Sequence, residues 1–258
     1  MSFLYLIIAG IIMGGFTVIT GGGAGALYVS ILTLCFNVSP VVATATSLAT
    51  MFPVAAISSI LHIKSGNVNF KVGWIMIGWG TIGALIGSYF SNDIPADNYN
   101  RLIGGIILLL TVLMIIKKRQ PVKPGNASHL SAKYTFLQVS FFGIISGLLS
   151  GLVGTSGTTT IIAGLTLLGC TTLQTVGTSV FVLSGISLVG FISRATGGSV
   201  DWLLAGILAG SAIAGAILGA HLLKNSTTNQ QSTSQNNHII DLLIILGNLI
   251  MGLALLFK

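Results

Sequence analysis

The sequence predicts an all-α, polytopic membrane protein made of two homologous repeats, read as inverted, with glycine-broken helices. Three observations predict it. Of the 258 residues, 53% are hydrophobic and only 6% are charged, with a mean hydropathy of +0.96. A soluble domain carries about 25% charged residues, so this chain has too few to clothe a water-facing surface. Apolar runs close to the length of a bilayer crossing, about 17–25 residues, follow one another along the chain. Finally, motifs of the first half recur in the second at one fixed spacing.

The candidate spans are 3–20, 40–61, 72–90, 101–116, 135–153, 172–192, 202–222 and 239–257. The first has no positively charged leader and no A-x-A-like site, so no cleavable signal is expected. It runs into "TVITGGGAGALYVS" (17–30), where Gly21, Gly22, Gly23 and Gly25 fall within five positions. Glycine costs about 0.8–1 kcal/mol against alanine inside a helix, so the helix breaks there. "GLVGTSGTTT" (151–160) is the equivalent break. The apolar elements that follow, 26–36 and 157–170, are short for a span. Each reads as a half-helix, a tilted short helix or an arm of a re-entrant hairpin. Between the spans lie loop 62–71 with Lys64 and Lys71, the acidic "SNDIPADNYN" (91–100) with Asp93 and Asp97, and the polar tract "KNSTTNQQSTSQNNH" (224–238), a loop by composition. Asp241 and Asn248 fall in the last span; Asp241 is near its start, where snorkelling makes a carboxylate tolerable.

"TSLATMF" at 46 begins like "TSVFVLS" at 178, an offset of 132 (178 − 46). Without gaps, the same offset pairs Gly15 with Gly147, Gly22 with Gly154 and Gly25 with Gly157. It also pairs "GNVNF" (66–70) with "GSVDW" (198–202), and "GALIGS" (83–88) with "GAILGA" (215–220). The chain therefore divides into a first repeat, 1–116, a linker, 117–134, and a second repeat, 135–258. Five of the eleven basic residues, Lys117, Lys118, Arg119, Lys123 and Lys133, lie in that linker. The positive-inside rule places it in the cytoplasm of a multi-pass protein of the cell (inner) membrane. Loop 91–100 is then outside, 62–71 inside and 193–201 outside. Equivalent loops on opposite faces define inverted repeats, the plan of many secondary transporters; parallel repeats stay open if a short element fails to span. The patterns Asn126-Ala127-Ser128 and Asn225-Ser226-Thr227 lie in loops placed inside and are discounted as glycosylation sites.

The net charge of +7 does not point to nucleic acid, because no aromatic residues interleave with the five basic residues of the linker. Cys35 and Cys170 read as small buried hydrophobes, with neither a disulfide framework nor metal spacing, and no cofactor is expected. A break exposes backbone N–H groups at the start of the next half-helix, and those donors with the helix dipole attract anions. The candidate substrate-binding residues are therefore Gly21, Gly22, Gly23 and Gly25 at the first break, and Gly154, Thr155, Ser156, Gly157 and Thr158 at the second. The intramembrane pairs Thr46-Ser47 and Thr178-Ser179 can complete the cavity or can bond their own helices. Arg194, equivalent to His62, is either an interfacial charge or an anion-attracting residue at the mouth of a pathway. "GALIGS" and "GAILGA" read as helix-packing surfaces. Asn69 and Asp201 read as helix N-caps, and Phe70 and Trp202 as interface aromatics.

On these residues the chain resembles the TauE/SafE sulfite exporter family. The resemblance covers nearly the whole chain. It rests on "GGGAGALYVSILTL", "VVATATSL" and "HIKSGNVNF", repeated as "GTSGTTTIIAGLTLLG", "QTVGTSV" and "ISRATGGSVDW". It implies transport, with export the favoured direction, of sulfite, sulfoacetate or related organosulfonates. "GTSGT" replaces a glycine run, and "QTVGTS" lacks the alanine of the pattern, which bears on substrate identity more than on fold. Three rivals stay open. A metal-cation transporter needs clustered carboxylates, His or thiolates in the spans, and the chain has four acids in all. A membrane enzyme needs a nucleophile–base pair, which is not visible. A non-transporting scaffold would not need paired breaks. The partners implied are a small anion and the lipid bilayer, with room for a homo-oligomer.

Overall fold

The computed structural model describes residues 2–22, 24–91, 98, 101–102, 105–106, 108–109, 112, 132–154, 157–195, 200–226 and 253. Among them, eight helices are laid out as two sets of four. The first set is α1 (Ser2–Thr20), α2 (Gly25–Cys35), α3 (Pro40–Lys64) and α4 (Phe70–Ser91). The second is α5 (Ala132–Val153), α6 (Thr158–Leu167), α7 (Thr172–Ala195) and α8 (Trp202–Ser226). Helices α3, α4, α5, α7 and α8 are long and apolar enough to cross a bilayer. Helix α1 has the slightly shorter apolar run Leu4–Thr20. With 11 and 10 residues, α2 and α6 rise only about 15–17 Å, half of a ~30 Å hydrocarbon core. That length fits a half-helix or an arm of a re-entrant hairpin. Of the span 101–116, residues 101–102, 105–106, 108–109 and 112 are described, and they are helical. The span 239–257 except 253, the linker up to 131, and Asp93, Asp97, Asp241 and Asn248 lie outside the described residues.

Local chemistry sets the starts. Pro40 opens α3, where its missing N–H costs nothing. Asn69 and Asp201 cap α4 and α8: their Oδ1 atoms accept the N–H groups of Val72 at 3.3 Å and Leu204 at 3.1 Å. Phe70 and Trp202 follow as exposed aromatics.

The fourth helix of each set packs with the other set. One buried cluster is built chiefly from α1, α2 and α3 with α8, including Leu6, Tyr28, Leu32, Met51 and Leu208. The other joins α5, α6 and α7 with α4, including Val139, Ile161, Val182, Ile186 and Met76. Helices α3 and α7 cross the centre in opposite directions. Leu48 near the start of α3 meets Gly190 near the end of α7, and Asn67 just beyond α3 meets Gly177 near the start of α7.

Glycines let backbones touch in these pairs, as small residues do in membranes. In "GALIGS", a methyl on Gly83 would overlap the Ile144 carbonyl of α5, and in "GAILGA" one on Gly215 would overlap the Ile11 carbonyl of α1. Gly147 stands likewise on the Gly80 carbonyl, whereas nothing lies within 4 Å of a Cβ at Gly78. Gly147→Val is therefore expected to destabilise by at least the ~1–3 kcal/mol of an overpacked core, and Gly78→Val to be close to neutral. Thermal midpoints of the two purified variants in detergent check the contrast.

Candidate functional site

Both breaks open on a left-handed glycine, and the second has another at Gly157, at φ +54°, where Ala24 of the first has φ −81°. Helix α1 ends at Thr20, Gly21 takes the left-handed conformation at φ +68°, and α2 begins at Gly25. Helix α5 ends at Val153, Gly154 takes φ +66°, and α6 begins at Thr158 after Gly157. The N-cap residues are Ala24 for α2 and Gly157 for α6, and neither offers a side-chain cap. The carbonyls at the breaks are held from the opposite set of helices. Ser47 Oγ donates to the Gly154 carbonyl at 3.0 Å, with the Gly25 carbonyl at 3.3 Å as an alternative. Ser179 Oγ donates to the Gly21 carbonyl at 2.7 Å, with that of Val176 at 2.8 Å as an alternative. The neighbouring threonines serve the opposite set too. Thr46 Oγ1 accepts the Asp201 N–H at 3.0 Å, and Thr178 Oγ1 accepts the Asn69 N–H at 2.9 Å. All four hydroxyl residues are fully buried. The Thr-Ser pairs thus reach across the centre of the protein rather than only back along their own helices.

These reciprocal bonds correct the register of the repeat. Gly21, not Gly22, is the spatial counterpart of Gly154, so α1 matches α5 at an offset of 133 (154 − 21). Gly14 then pairs with Gly147 and Ala24 with Gly157. The extra residue is absorbed in the turn that closes α2. There the Val38 N–H reaches back to the Leu32 carbonyl, while in α6 the Cys170 N–H reaches the Leu165 carbonyl, a span one residue shorter.

His62 and Arg194 obey the same register. Both are buried within the protein, at 6% and 4% exposure. The His62 Nε2 lies 3.0 Å from the Val18 carbonyl. Arg194 Nη2 donates to the Gly151 carbonyl at 2.6 Å, to that of Leu152 at 3.3 Å, and to Ser91 Oγ. Each sits on last-turn carbonyls of a broken helix, groups with no partner inside that helix. A cation is favoured at such an end.

Of the remaining candidates, Gly22 donates its N–H to Thr20 Oγ1 at 3.1 Å, and Gly25 and Thr158 are buried at the starts of their helices. Gly23, Thr155 and Ser156 lie outside the described residues. Cys35 is exposed and Cys170 half-buried, so neither is the fully buried thiol expected. Among the described residues, no three His, Cys, Asp or Glu side chains gather as for a metal ion. Missed by the sequence reading are Ser88, Ser146 and Ser150, buried hydroxyls between α4, α5 and the second break.

A polytopic helical protein with two half-helices behind paired glycine breaks has the architecture of a membrane transporter. Comparison with known proteins agrees. The Sulfite exporter TauE/SafE family matches residues 6–231. "Probable membrane transporter protein YdhB" of Bacillus subtilis (strain 168) is 34% identical over 224 residues, covering 84% of this chain and 87% of that one. "Probable membrane transporter protein YunE" of the same organism is 28% identical, with 88% and 91% covered. "Probable membrane transporter protein MJ0441" of Methanocaldococcus jannaschii is 30% identical, with 77% and 74% covered. No solved structure matches the chain. The chain belongs to the TauE/SafE family and is a membrane transporter.

Proposed function

We propose that this protein exports small sulfur-containing anions, such as sulfite, sulfoacetate or organosulfonates, by alternating access between two inverted repeats. The observation that carries the reading is the pair of breaks. Their carbonyl ends are bound by Ser47 and Ser179, while the N-cap residues of α2 and α6, Ala24 and Gly157, bring no side-chain cap. Backbone donors and positive helix ends are thereby turned toward an anion. Gly21, Gly22, Gly23, Gly25, Gly154, Thr155, Ser156, Gly157 and Thr158 form the lining, Thr46, Ser47, Thr178 and Ser179 hold it together, and Arg194 adds positive charge. The opposed course of α3 and α7 supports the inverted arrangement, with repeats 1–116 and 135–258 joined by the cytoplasmic linker 117–134 in the inner membrane. A negative-inside potential drives anion efflux with about 2.3 kcal/mol per charge per 100 mV.

The test is flux of radiolabelled sulfite into proteoliposomes under a positive-inside potential. Uptake should rise with the potential and be competed by sulfoacetate. Folded protein that moves none of sulfite, sulfoacetate, sulfate or thiosulfate would overturn the anion reading in favour of another solute or a scaffold.

A further inference from the structure

Many hydroxyls inside these helices share one habit. Those of Thr17, Thr50, Ser58, Ser140, Ser187 and Ser211 each donate to the carbonyl four residues back. That is the ordinary way Ser and Thr satisfy themselves within a helix. Ser88, Ser146 and Ser150 depart from it. They are 2%, 0% and 0% exposed, and their hydroxyls have no hydrogen-bond partner among the described residues. A buried polar group without a partner calls for an explanation, and a missing ligand is one.

Their positions converge on the second break. Ser146 and Ser150 are one turn apart on α5 and share a face. Ser146 Oγ lies 2.5 Å from where a Cβ on Gly157 would fall, so it is aimed at the N-terminal end of α6. Ser150 is a turn nearer the break, and its carbonyl accepts the Gly154 N–H at 2.9 Å. Across on α4, the Ser88 amide lies 2.8 Å from where a Cβ on Gly151 would fall. Arg194 fastens this end through the Gly151 carbonyl and Ser91 Oγ, and Ser91 in turn donates to the Ser88 carbonyl at 3.3 Å. In the corrected register the first break is attended by Met13, Thr17 and His62 of the first repeat and Ala220 of the second, at the places of Ser146, Ser150, Arg194 and Ser88. The Thr17 hydroxyl is already taken by the Met13 carbonyl at 2.9 Å. On that side the buried Tyr28 hydroxyl, one turn into α2, is without a partner among the described residues.

We propose that the two breaks are unequal, and that the transported oxyanion is held at the second one by the Ser146 and Ser150 hydroxyls together with the amides that open α6. Arg194 supplies the adjacent positive charge, and the first break forms the opposing wall. Sulfite and sulfonates present three oxygens on one face, which suits donors converging from a helix side and a helix end. This inference rests on the anion reading above.

Its test is binding of sulfite and of methanesulfonate to the purified full-length protein, followed by calorimetry and by the thermal shift each anion produces. Ser146→Ala and Ser150→Ala should each weaken binding by about tenfold or more, the weight of a hydrogen bond to a charged group. The thermal midpoint without ligand should stay where it is, because these hydroxyls have no partner to lose among the described residues. Thr17→Val and Tyr28→Phe should leave affinity within about twofold. Wild-type affinity in both serine variants, or loss of binding in Tyr28→Phe alone, overturns the inference while leaving anion transport intact. Failure of the wild type to bind either anion overturns both.

Discussion

Gly154→Ala and Gly21→Ala are each expected to lower stability by about 2–5 kcal/mol, the sum of left-handed strain and overpacking, while Gly22→Ala is expected to be nearly neutral. Two effects add at the first pair. An L-residue held in the left-handed region costs about 1–2 kcal/mol, and both glycines are held there, at φ +66° and +68°. There is also no room for a methyl. A Cβ on Gly154 would lie 2.9 Å from the Thr44 Cα, and one on Gly21 would lie 2.7 Å from the Val176 Cα. Those neighbours are backbone of the opposing helices and have no freedom to move aside. At Gly22 the nearest atoms are Thr20 Oγ1 at 3.1 Å and the Phe16 ring at 3.5 Å, and its φ is not positive. The measurement is the thermal midpoint and monodisperse yield of the three variants in detergent. A loss at Gly22 equal to that at Gly21 would restore the ungapped pairing of the repeats. A neutral Gly154→Ala would mean that the break is not held as described.

The contrast between Gly21 and Gly22 shows where sequence reading stops. Apolar runs and paired glycine breaks are legible because bilayer thickness and backbone satisfaction leave few alternatives. The described helices accordingly fall on the spans expected of them. The register of α1 is not legible, since Gly14 and Gly15, or Gly21 and Gly22, match the second half about equally well at offsets one apart. The bonds from Ser47 and Ser179, and those of His62 and Arg194, separate them. The burial of His62 and Arg194 is hidden for another reason. Both sit at the ends of apolar spans beside polar loops, where an interfacial charge is the ordinary outcome. The carbonyl ends they cap belong to helices 43 or 44 residues away in sequence. Ser146 and Ser150 were invisible because a serine in a membrane helix ordinarily bonds its own backbone. That these two do not is a property of three-dimensional packing.

Replacing Arg194 by histidine, the residue at its partner position, is expected to separate folding from transport. Arg194→Ala should lose both. It strips the donor from the Gly151 and Leu152 carbonyls and from Ser91, and a buried group left without its partner costs about 1–3 kcal/mol. A histidine at 194 can still hold a single carbonyl of the helix end, as His62 holds that of Val18 at 3.0 Å. Arg194→His should therefore fold with a modest loss of thermal midpoint. It removes the permanent charge of the guanidinium, however, and sulfite flux in proteoliposomes should fall by an order of magnitude or more. Arg194→Lys is the complementary case. An ammonium keeps the charge but lacks the planar fork that spans several acceptors at once, so stability should fall while measurable flux survives. Midpoints and fluxes together decide the matter. If Arg194→His transports sulfite at the wild-type rate, Arg194 is a helix cap and nothing more, and the proposed anion site must draw its positive charge from the backbone alone.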